Sequence, residues 1–473
     1  MAEDPDDAWE STYVRRDEDG LSFQIDDDGH RIPDFSWAGY RLREASIPDV
    51  PTVKTIGPVD GDNADHIQAA LDEIGAGLEA GETPPSRGEP AEAVRGALEL
   101  EPGTYRIEEA VRIRHSGIVL RGAGDGDDPA ENTVIEAADS TLGDEGRFWD
   151  GVAIQVGAGG TSWENQGDPE VDVTTDFVRV GDRSFEVAEP AAFDVGENVV
   201  LYHPCTADWL DAVDGGGTAS DPDWAVGSQP IIYNRDVRAI EGAEITIDAP
   251  VYNHLDRDLA QSYLYPVDRS GLAREVGIED LRVTVDVEGD RTRDRPPVSH
   301  AVWFDGVEDG WATGCTTRNF SRSGIATRST TRVTVRNCRA VDPFGPIEGG
   351  WRYPFSAESR SQQILFTGCL ARRGRHNFVC NGTSHSSGIV FHDVESLEAS
   401  TRTEGHRRWS HGLLFDNYES RGNHPEGRHG LLLGNRGDWG TAHGWGAAGS
   451  VVWNARLHGE SEGVIVETPP TAE

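Results

Sequence analysis

The chain has 473 residues and a formal net charge of −41, with 42 basic against 83 acidic side chains. So acidic a composition argues against a nucleic-acid partner, because phosphate binding needs a basic footprint. No run approaches the roughly 18 consecutive apolar residues that suggest a membrane span, and residues 1–7 are acidic and lack the apolar segment of a signal peptide.

Lysine occurs only at Lys54, and methionine only at Met1. An acidic surface with so little lysine is typical of adaptation to high salt, where carboxylates keep a protein hydrated and dispersed.

The five cysteines show no CxxC spacing, so neither a disulfide framework nor a zinc site is predicted. No metal site is predicted. Ca²⁺ stays open as a cofactor, because carboxylates occur throughout the chain although it has no DxDxDG loop.

The first third of the chain predicts an arm, a helix and a set of strands. Residues 1–50 are polar and predict an extended arm that docks through residues 35–40. Residues 62–74 predict a helix whose apolar side chains, such as Ile67 and Leu71, share one face. Such a helix is suited to cover the open end of a stack of strands. Residues 51–149 are therefore interpreted as a capping helix followed by strands that alternate with Pro-Gly and Gly-x-Gly turns.

Residues 150–270 change this pattern and predict a β-rich insertion with antiparallel strands and Gly/Asp/Pro-rich connections. Trp209 and Trp224 lie on its loops. Their indole rings suit either stacking against sugars or a place in a core, and the sequence leaves both open.

Residues 271–473 repeat one short phrase, apolar-x-polar-small, at intervals of roughly 25 residues, which is a solenoid signature. The six clear copies end at Cys315, Cys338, Cys369, Val394, Tyr418 and Ala455. We predict an all-β fold, a right-handed parallel β-helix, in which the small apolar ends of the phrase form an inward column. The preceding Gly, Asn and Asp residues predict bends in the left-handed conformation. A β-sandwich is the alternative, but it gives no reason for the same phrase to recur.

The opening strands carry a resemblance. Residues 102–107, Pro-Gly-Thr-Tyr-Arg-Ile, and residues 119–124, Val-Leu-Arg-Gly-Ala-Gly, follow the predicted helix. This order resembles the opening of the pectate-lyase-like β-helix superfamily, and the resemblance extends over residues 51–140 and 276–460. It implies a polysaccharide-lyase-like protein, and an extracellular location is favoured by that fold and substrate.

Histidine and arginine concentrate in one region. Eight of the fifteen histidines lie between His376 and His443, and arginines crowd the same stretch. In so acidic a chain this predicts a local site for a polyanion. Arg322, Arg352, Arg375 and Arg428 each precede an apolar strand and predict a ladder on one face, with Glu358 and Glu404 near in sequence.

A uronic-acid polysaccharide is the predicted substrate, cleaved by β-elimination. Arginine would neutralise the uronate carboxylate and histidine would remove the C5 proton, since its pKa suits proton transfer. His406 or His443 is the predicted base, and Tyr353 is the reserve acid. The predicted catalytic residues are His406, His443, Arg408, Arg436, His376 and Tyr353. The predicted substrate-binding residues are Arg375, Arg428, His429, Trp409, Trp439, Trp445 and Arg352.

Two alternatives stay open. A glycoside hydrolase on the same fold needs carboxylates that face the scissile bond. Its candidates are Glu348, Glu358, Asp416 and Asp438. A non-catalytic, carbohydrate-binding β-helix is the other alternative, although binding alone does not need so many imidazoles.

Overall fold

The computed structural model describes residues 11–17, 20–27, 31–79, 96–138, 151–159, 163–218, 224–269, 271–294, 298–422, 430–459, 461 and 463–470, and all structural statements concern these residues. The chain forms the predicted right-handed parallel β-helix. Most coils contribute two strands to a long first sheet and one strand to a second sheet, and neighbouring coils pair in parallel. The β-sandwich alternative is wrong, because the pairing between coils is parallel throughout both sheets.

The described part of the arm contains an antiparallel hairpin and then docks on the outer face of the first sheet. The backbone N–H of Tyr40 donates to Thr334 Oγ1 at 2.9 Å, and the ring of Phe35 stacks on Tyr252. The docking segment is thus held by both polar and aromatic contacts. The hairpin strands are β1 Val14–Asp17 and β2 Gly20–Phe23.

The capping helix begins at Ala64 rather than at 62, because the Asp62 side chain accepts the Ala64 N–H at 3.0 Å and so lies in the cap. The helix continues beyond the predicted end. Gly75 permits this, since a Cβ there would lie 2.4 Å from the His115 ring. The apolar face packs onto the core inside the coils. This part comprises β3 Thr52–Ile56, α1 Ala64–Glu79, β4 Gly96–Leu100, β5 Gly103–Ile107, β6 Val111–Ile113, β7 Ile118–Arg121, β8 Thr133–Ala138 and β9 Val152–Val156.

The insertion is built around a six-stranded antiparallel sheet between two coils of the helix. Strand β9, which falls within the range predicted as insertion, pairs in parallel inside the second sheet of the helix. The insertion comprises β10 Val171–Asp172, β11 Phe177–Val178, β12 Ser184–Glu186, β13 Asn198–His203, α2 Ala207–Ala212, β14 Ile231–Glu241, β15 Glu244–Ile247, β16 Leu255–Asp256 and β17 Tyr263–Pro266.

The remaining coils follow the insertion. Their first strands are β18 Ala273–Glu279, β19 Arg282–Asp286, β20 His300–Asp305, β21 Val307–Thr313, β22 Thr316–Arg318, β23 Ser323–Arg328, β24 Thr330–Arg336, β25 Arg339–Val341, β26 Tyr353–Ala357 and β27 Ser361–Thr367. The later elements are β28 Leu370–Arg372, β29 Phe378–Cys380, β30 Ser387–Leu397, β31 Thr403–Gly405, β32 His411–Arg421, β33 Leu431–Leu433, α3 Trp439–Ala442, β34 Val451–Trp453, β35 Arg456–Leu457 and β36 Val464–Val466. No helix in the described ranges combines the length and apolarity needed to cross a bilayer.

The repeated phrase has the predicted geometry. Its ends from Cys315 to Tyr418 are buried in the core, and Ala455 is half-buried against that core. The residue before each end has a positive φ. The bend residues are Asp280, Gly314, Asn337, Gly368, Asp393, Asn417 and Asn454. Their φ angles lie in the left-handed region, where Gly, Asn and Asp are least strained.

A second column of positive φ occurs within the first sheet, one residue per coil, where the register skips a residue. It comprises Glu275, Asp309, Arg332, Gln363, Gly388 and Gly412. The last two are glycines because Tyr252 of the insertion packs there: a Cβ on Gly412 would lie 2.4 Å from its ring. The insertion is thereby seated directly on the backbone of the helix.

One buried carboxylate ties the insertion to the helix. Glu308 is 1% exposed and bonds Arg269, and it lies 3.2 Å from Arg332 Nη2 and 3.4 Å from Arg274 Nε. Asn234 of β14 donates to it at 3.3 Å. Burial on its own would raise the pKa of Glu308, but the three guanidinium groups outweigh it and the pKa is lowered.

The left-handed bend can be tested at Asn417, an exposed residue with φ 53°. Asn417→Ala and Asn417→Gly both remove the side-chain bond to Asp393 and differ only in the Cβ. The alanine variant should be about 1 kcal/mol less stable than the glycine variant, because only alanine is strained at positive φ. Urea unfolding in concentrated salt measures this difference, and equal stabilities would contradict it.

The buried carboxylate predicts a large loss of stability. Glu308→Gln leaves three guanidinium groups without their shared anion, which should cost about 3–5 kcal/mol. Because the folded pKa is lowered, the ionised carboxylate stabilises the fold above its unfolded pKa, and that stabilisation is lost as the pH falls through the folded pKa. The wild-type protein should therefore lose more stability on acidification than the glutamine variant.

Urea unfolding at several pH values tests both statements. Glu73→Gln is the matched control, since Glu73 is exposed and its ion pair with Lys54 lies on the surface. That change should alter stability by no more than about 0.5 kcal/mol. Similar losses for the two variants would refute the assignment of Glu308 as the structural anchor.

Candidate active site

The predicted site forms on the outer face of the second sheet, across β26, β29 and β31. Ser356, Val379 and Glu404 occupy equivalent positions on these strands and alternate with core-facing residues. The segment between β33 and β34, residues 434–450, folds over this face. Two backbone bonds fasten it there: Arg408 N donates to the His443 carbonyl at 2.9 Å, and Trp409 N donates to the Trp445 carbonyl at 2.6 Å.

A carboxylate and an imidazole form the centre of the site. His406 Nδ1 is in short contact with Glu404 Oε1, and both side chains are buried. The contact with a carboxylate assigns the proton to Nδ1, which leaves Nε2 as an acceptor. Nη1 of Arg436 lies over the imidazole ring, 2.8 Å from Nδ1 and 3.3 Å from Nε2, and 3.2 Å from Glu404 Oε1. Arg436 therefore touches both members of the pair.

A second imidazole lies beside the first. The rings of His376 and His406 are 4.9 Å apart between centroids. His376 Nδ1 donates to the Arg402 carbonyl at 2.6 Å, and its Nε2 accepts from Arg375 Nη1 at 2.6 Å. The same Nη1 donates to the Tyr353 hydroxyl at 3.2 Å. Arg375 thus connects an imidazole and a phenol.

Burial keeps the imidazoles neutral. It lowers the pKa of His376 well below its usual value, and Arg375 adds to this although Glu404 opposes it. Burial, then Arg436, lowers the pKa of His406 well below its usual value. Burial, then Arg436, lowers the pKa of His443 to about 3. All three rings are therefore uncharged near neutrality and offer acceptor lone pairs.

The site carries surplus positive charge. Arg375, Arg407 and Arg408 have no carboxylate oxygen within 4.0 Å among the described residues, and Arg436 shares Glu404 with His406. The Arg408 side chain donates across the loop to the Thr441 carbonyl and to Thr441 Oγ1, the latter at 2.8 Å. In a chain of net charge −41, this grouping of guanidinium groups favours an anionic ligand.

The geometry does not favour a metal ion at this centre. Ligand atoms of His376, Glu404 and His406 lie within 4.8 Å of one another, as a two-histidine, one-carboxylate site requires. However, Arg436 Nη1 lies 2.8 Å from His406 Nδ1, and Arg375 Nη1 lies 2.6 Å from His376 Nε2. Guanidinium groups occupy the positions that a cation would take and would repel it.

The structure brings most of the predicted catalytic residues together. Tyr353, His376, His406, Arg436 and His443 meet within one cluster of ring and hydrogen-bond contacts. The predicted substrate-binding residue Arg375 joins this cluster through its bonds to His376 and Tyr353. Trp439 lies at the rim, 58% exposed, with the Arg436 guanidinium 5.6 Å from its ring centroid. Arg428 and His429 fall outside the described residues.

Sequence reasoning placed two residues in the wrong surroundings. Arg352 was predicted to bind substrate, but it is buried, donates to the Pro343 carbonyl at 3.3 Å and has Arg291, Asp342 and Arg373 as its charged neighbours. Burial, then Arg291, lowers its pKa to about 10. The arginines of the predicted ladder therefore do not share one set of partners.

At the neighbouring rungs of that ladder, Arg322 pairs with Glu358 at 3.3 Å and Arg375 turns to the imidazoles. Arginines at equivalent backbone positions of successive coils have different side-chain partners, because a different loop packs against each coil.

Trp409 was predicted to bind sugar, and that is wrong. It is fully buried, meets Trp209 and Trp224 edge-on at 5.4 and 6.4 Å, and donates to Asn253 at 2.8 Å. These three indoles join the insertion to the helix, which also settles Trp209 and Trp224 as core residues.

Trp445, also predicted to bind sugar, is half-buried against the same cluster. Its indole nitrogen is buried without a hydrogen-bond partner, so packing against the insertion accounts for this side chain.

Sequence reasoning missed Glu404 as the partner of His406. A signal was present: Glu404 and His406 are two apart on a strand end, so their side chains point to the same face.

The four carboxylates of the hydrolytic alternative are dispersed. Asp416 lies on the first sheet, and Glu358 is paired with Arg322; Glu348 and Asp438 are exposed.

Comparisons with known proteins identify no family for this chain. No protein-family model and no curated protein matches the sequence. Tailspike gp61 of Pseudomonas phage phi297 aligns at 11% identity and a TM-score of 0.48, over 84% of this chain and 57% of its own. Tailspike gp49 of Pseudomonas phage LKA1 aligns at 13% identity and 0.44, over 81% and 56%.

The polygalacturonase of Erwinia carotovora ssp. carotovora aligns at 9% identity and 0.34, over 91% and 98%. The chain thus spans a little over half the length of the two tailspikes. The fold assignment itself rests on the strand register.

The environments of Trp409 and Trp439 predict a large loss of stability on truncation of the first and a small change on truncation of the second. Trp409→Ala should cost about 3–5 kcal/mol, because it opens a cavity between the insertion and the helix. Trp439→Ala should change stability by about 0.5 kcal/mol or less, because that ring is exposed. Urea unfolding of the two variants measures this, and a small effect at Trp409 would contradict its place in the core.

Proposed function

We propose that the protein is a polysaccharide lyase that cleaves a uronic-acid-containing polysaccharide by β-elimination, with Nε2 of His406 as the base. The observation that carries this proposal is the buried Glu404–His406 pair, with Arg436 sharing the Glu404 carboxylate. Arg375, Arg407 and Arg408 lie nearby and have no carboxylate oxygen within 4.0 Å in the part of the chain that the structure describes. A base with a fixed tautomer beside an anion site is what removal of a proton next to a carboxylate requires.

The carboxylate of a uronic acid would bind between Arg375 and Arg436. Guanidinium groups pair with carboxylates through parallel N–H donors. Neutralising that carboxylate makes the C5 proton of the sugar more acidic, because negative charge that develops on the carboxylate oxygens is stabilised. The guanidinium groups therefore serve both binding and activation.

Proton transfer then follows from the imidazole geometry. Nε2 of His406 takes the C5 proton, and the C5–H electron pair forms the C4–C5 double bond while the C4–O bond breaks. Glu404 accepts the Nδ1–H bond and stabilises the imidazolium that results. His443 is the weaker candidate, since no carboxylate pairs with it among the described residues.

Tyr353 is suited to protonate the leaving oxygen. Its hydroxyl oxygen accepts from Arg375 Nη1 at 3.2 Å and from the Gly350 N–H at 3.0 Å. With its lone pairs engaged, the hydroxyl proton is directed elsewhere and is available as a donor. Trp439, exposed at the rim, offers a face on which a sugar ring can stack. A polymeric substrate of this kind favours an extracellular place of action.

The test is a panel of uronic-acid polymers in concentrated salt, with and without chelator. β-Elimination produces a conjugated double bond that absorbs in the near ultraviolet. His406→Ala should lower the rate about 10²- to 10⁴-fold, the usual contribution of general base catalysis. His392→Ala is the control, because that exposed ring lies on the first sheet.

Each other outcome has a definite meaning. Absorbance that survives His406→Ala would show that another group is the base. Release of reducing ends without absorbance would mean hydrolysis, and activity lost in chelator would mean a cation-dependent reaction. Binding without cleavage would establish the non-catalytic alternative.

A further inference from the structure

Both ring nitrogens of His376 have a partner inside the protein. Nδ1 lies 2.6 Å from the Arg402 carbonyl oxygen, and Nε2 lies 2.6 Å from Arg375 Nη1. The side chain is 1% exposed. An imidazole bonded at both nitrogens is suited to hold another side chain in place rather than to take a proton from a substrate.

The two contacts determine which nitrogen of His376 carries the proton. A carbonyl oxygen can only accept, so Nδ1 donates to Arg402. Burial lowers the pKa of His376 well below its usual value; Glu404 opposes this, and Arg375 adds to it. The ring is therefore neutral near pH 7, and the lone pair on Nε2 accepts one N–H of Arg375 Nη1.

Arg375 is thereby held at one corner of its guanidinium group. Nη1 has two N–H bonds, of which one goes to His376 Nε2 and the other to the Tyr353 hydroxyl oxygen at 3.2 Å. Nε and Nη2 have no acceptor among the residues that the structure describes. These two nitrogens form one edge of the guanidinium plane, along which a carboxylate can accept two parallel bonds. The Nη1 corner is fixed, and a binding edge is left free.

We propose that His376 is a positioning residue, which holds Arg375 so that its Nε–Nη2 edge faces the carboxylate of the sugar. This inference rests on the proposed function, in which Arg375 binds that carboxylate. It gives the two imidazoles separate tasks. His406 takes the proton, and His376 orients the guanidinium group that makes this proton acidic.

The stacking of coils provides the geometry. Tyr353 and His376 each lie two residues before Phe355 and Phe378, which pair between β26 and β29. Their rings are 5.2 Å apart between centroids, so both reach the same nitrogen of Arg375. A long arginine side chain loses much rotamer freedom when it binds a ligand. Fixing Nη1 before the sugar arrives reduces that cost and sets the orientation in advance.

The neutral state of His376 is required for this task. Glu404 Oε1 lies 3.3 Å from the same Nε2. A protonated His376 would donate to Glu404 there and could no longer accept from Arg375. Burial, together with the nearby guanidinium groups of Arg375 and Arg436, keeps the second proton off the ring.

The deciding experiment needs neither turnover nor a sugar. Histidine side chains of the full-length protein are labelled with ¹⁵N, and the His376 signals are assigned by their loss in His376→Gln. Nδ1 of His376 should resonate as a protonated nitrogen and Nε2 as an unprotonated one. Arg375→Gln should shift the Nε2 signal, because it removes the donor. A protonated Nε2, or an Nε2 signal that Arg375→Gln leaves unmoved, would overturn the inference.

Kinetic variants separate positioning from proton transfer. His376→Leu removes the acceptor and should lower kcat/KM about 10- to 100-fold, the effect of losing one hydrogen bond to a charged group. His376→Gln keeps a side-chain oxygen that can accept from Arg375 and should recover most of this loss, although an amide cannot take a proton. In an Arg375→Gln background, His376→Leu should change kcat/KM by no more than about twofold, because His376 acts through Arg375.

His392→Leu is the matched control. His392 is an exposed imidazole on the first sheet, so this change should leave kcat/KM unaltered in both backgrounds. Urea unfolding of each variant shows whether a loss of activity reflects a loss of folded protein. If His376→Leu does not fold, the ¹⁵N spectra of the wild-type protein and of Arg375→Gln still decide the question.

The outcomes separate this inference from the proposed function. If His376→Gln is as inactive as His376→Leu, or if the effects of His376→Leu and Arg375→Gln add, the positioning role is overturned and the lyase is retained. If no uronic-acid polymer is cleaved, the same variants are compared by their Kd for polygalacturonate. Non-additive losses of affinity would then retain the positioning role without the lyase. Absence of both cleavage and binding would overturn the proposed function and the positioning role together.

Discussion

Parallel register between coils is the constraint on which the rest of the molecule depends. Backbone hydrogen bonds place residues of equal phase directly above one another, at about 4.8 Å per coil. A residue type that suits one coil is then selected in the next, which is why small apolar side chains stack at Cys315, Cys338 and Cys369 and why left-handed bends recur beside them. The same stacking assembles the site from three separate coils.

Register also explains how the insertion is held on the first sheet of the β-helix. The positive-φ column in the first sheet turns alternate side chains outward at the same phase in six coils. The column contains glycines where Tyr252 of the insertion packs closely against it. Where the insertion presents charged side chains, the column contains Asp309 and Arg332, which lie beside Glu308. The core between the insertion and the helix is therefore partly ionic, and its charges are paired because unpaired buried charge is costly.

Charged groups are also buried at the candidate site, but with a different balance of charge. Around Glu308 carboxylates and guanidinium groups balance, whereas around Glu404 guanidinium groups predominate. Low local dielectric strengthens both arrangements. The first cluster holds the insertion against the helix, and the second leaves guanidinium groups in excess beside neutral imidazoles. The two clusters differ in the number of carboxylates that they contain, although the chain as a whole has 83 acidic side chains.

The sequence by itself determined the coil architecture, the capping helix, the antiparallel insertion and the residues that bend each coil, because period and turn chemistry are local properties. It also located the His376–His443 region and most members of the cluster, since charge segregation is visible in one dimension. Arg352 and Trp409 show where it failed: both have functional-looking side chains, yet their roles depend on which loop lies against them.

Only the tertiary structure decided those contacts, and it alone identified Glu404 as the partner of His406. Periodicity sets the phase of a residue within its coil, but the loops and the insertion, which follow no period, decide whether that residue faces solvent, a core or a charge.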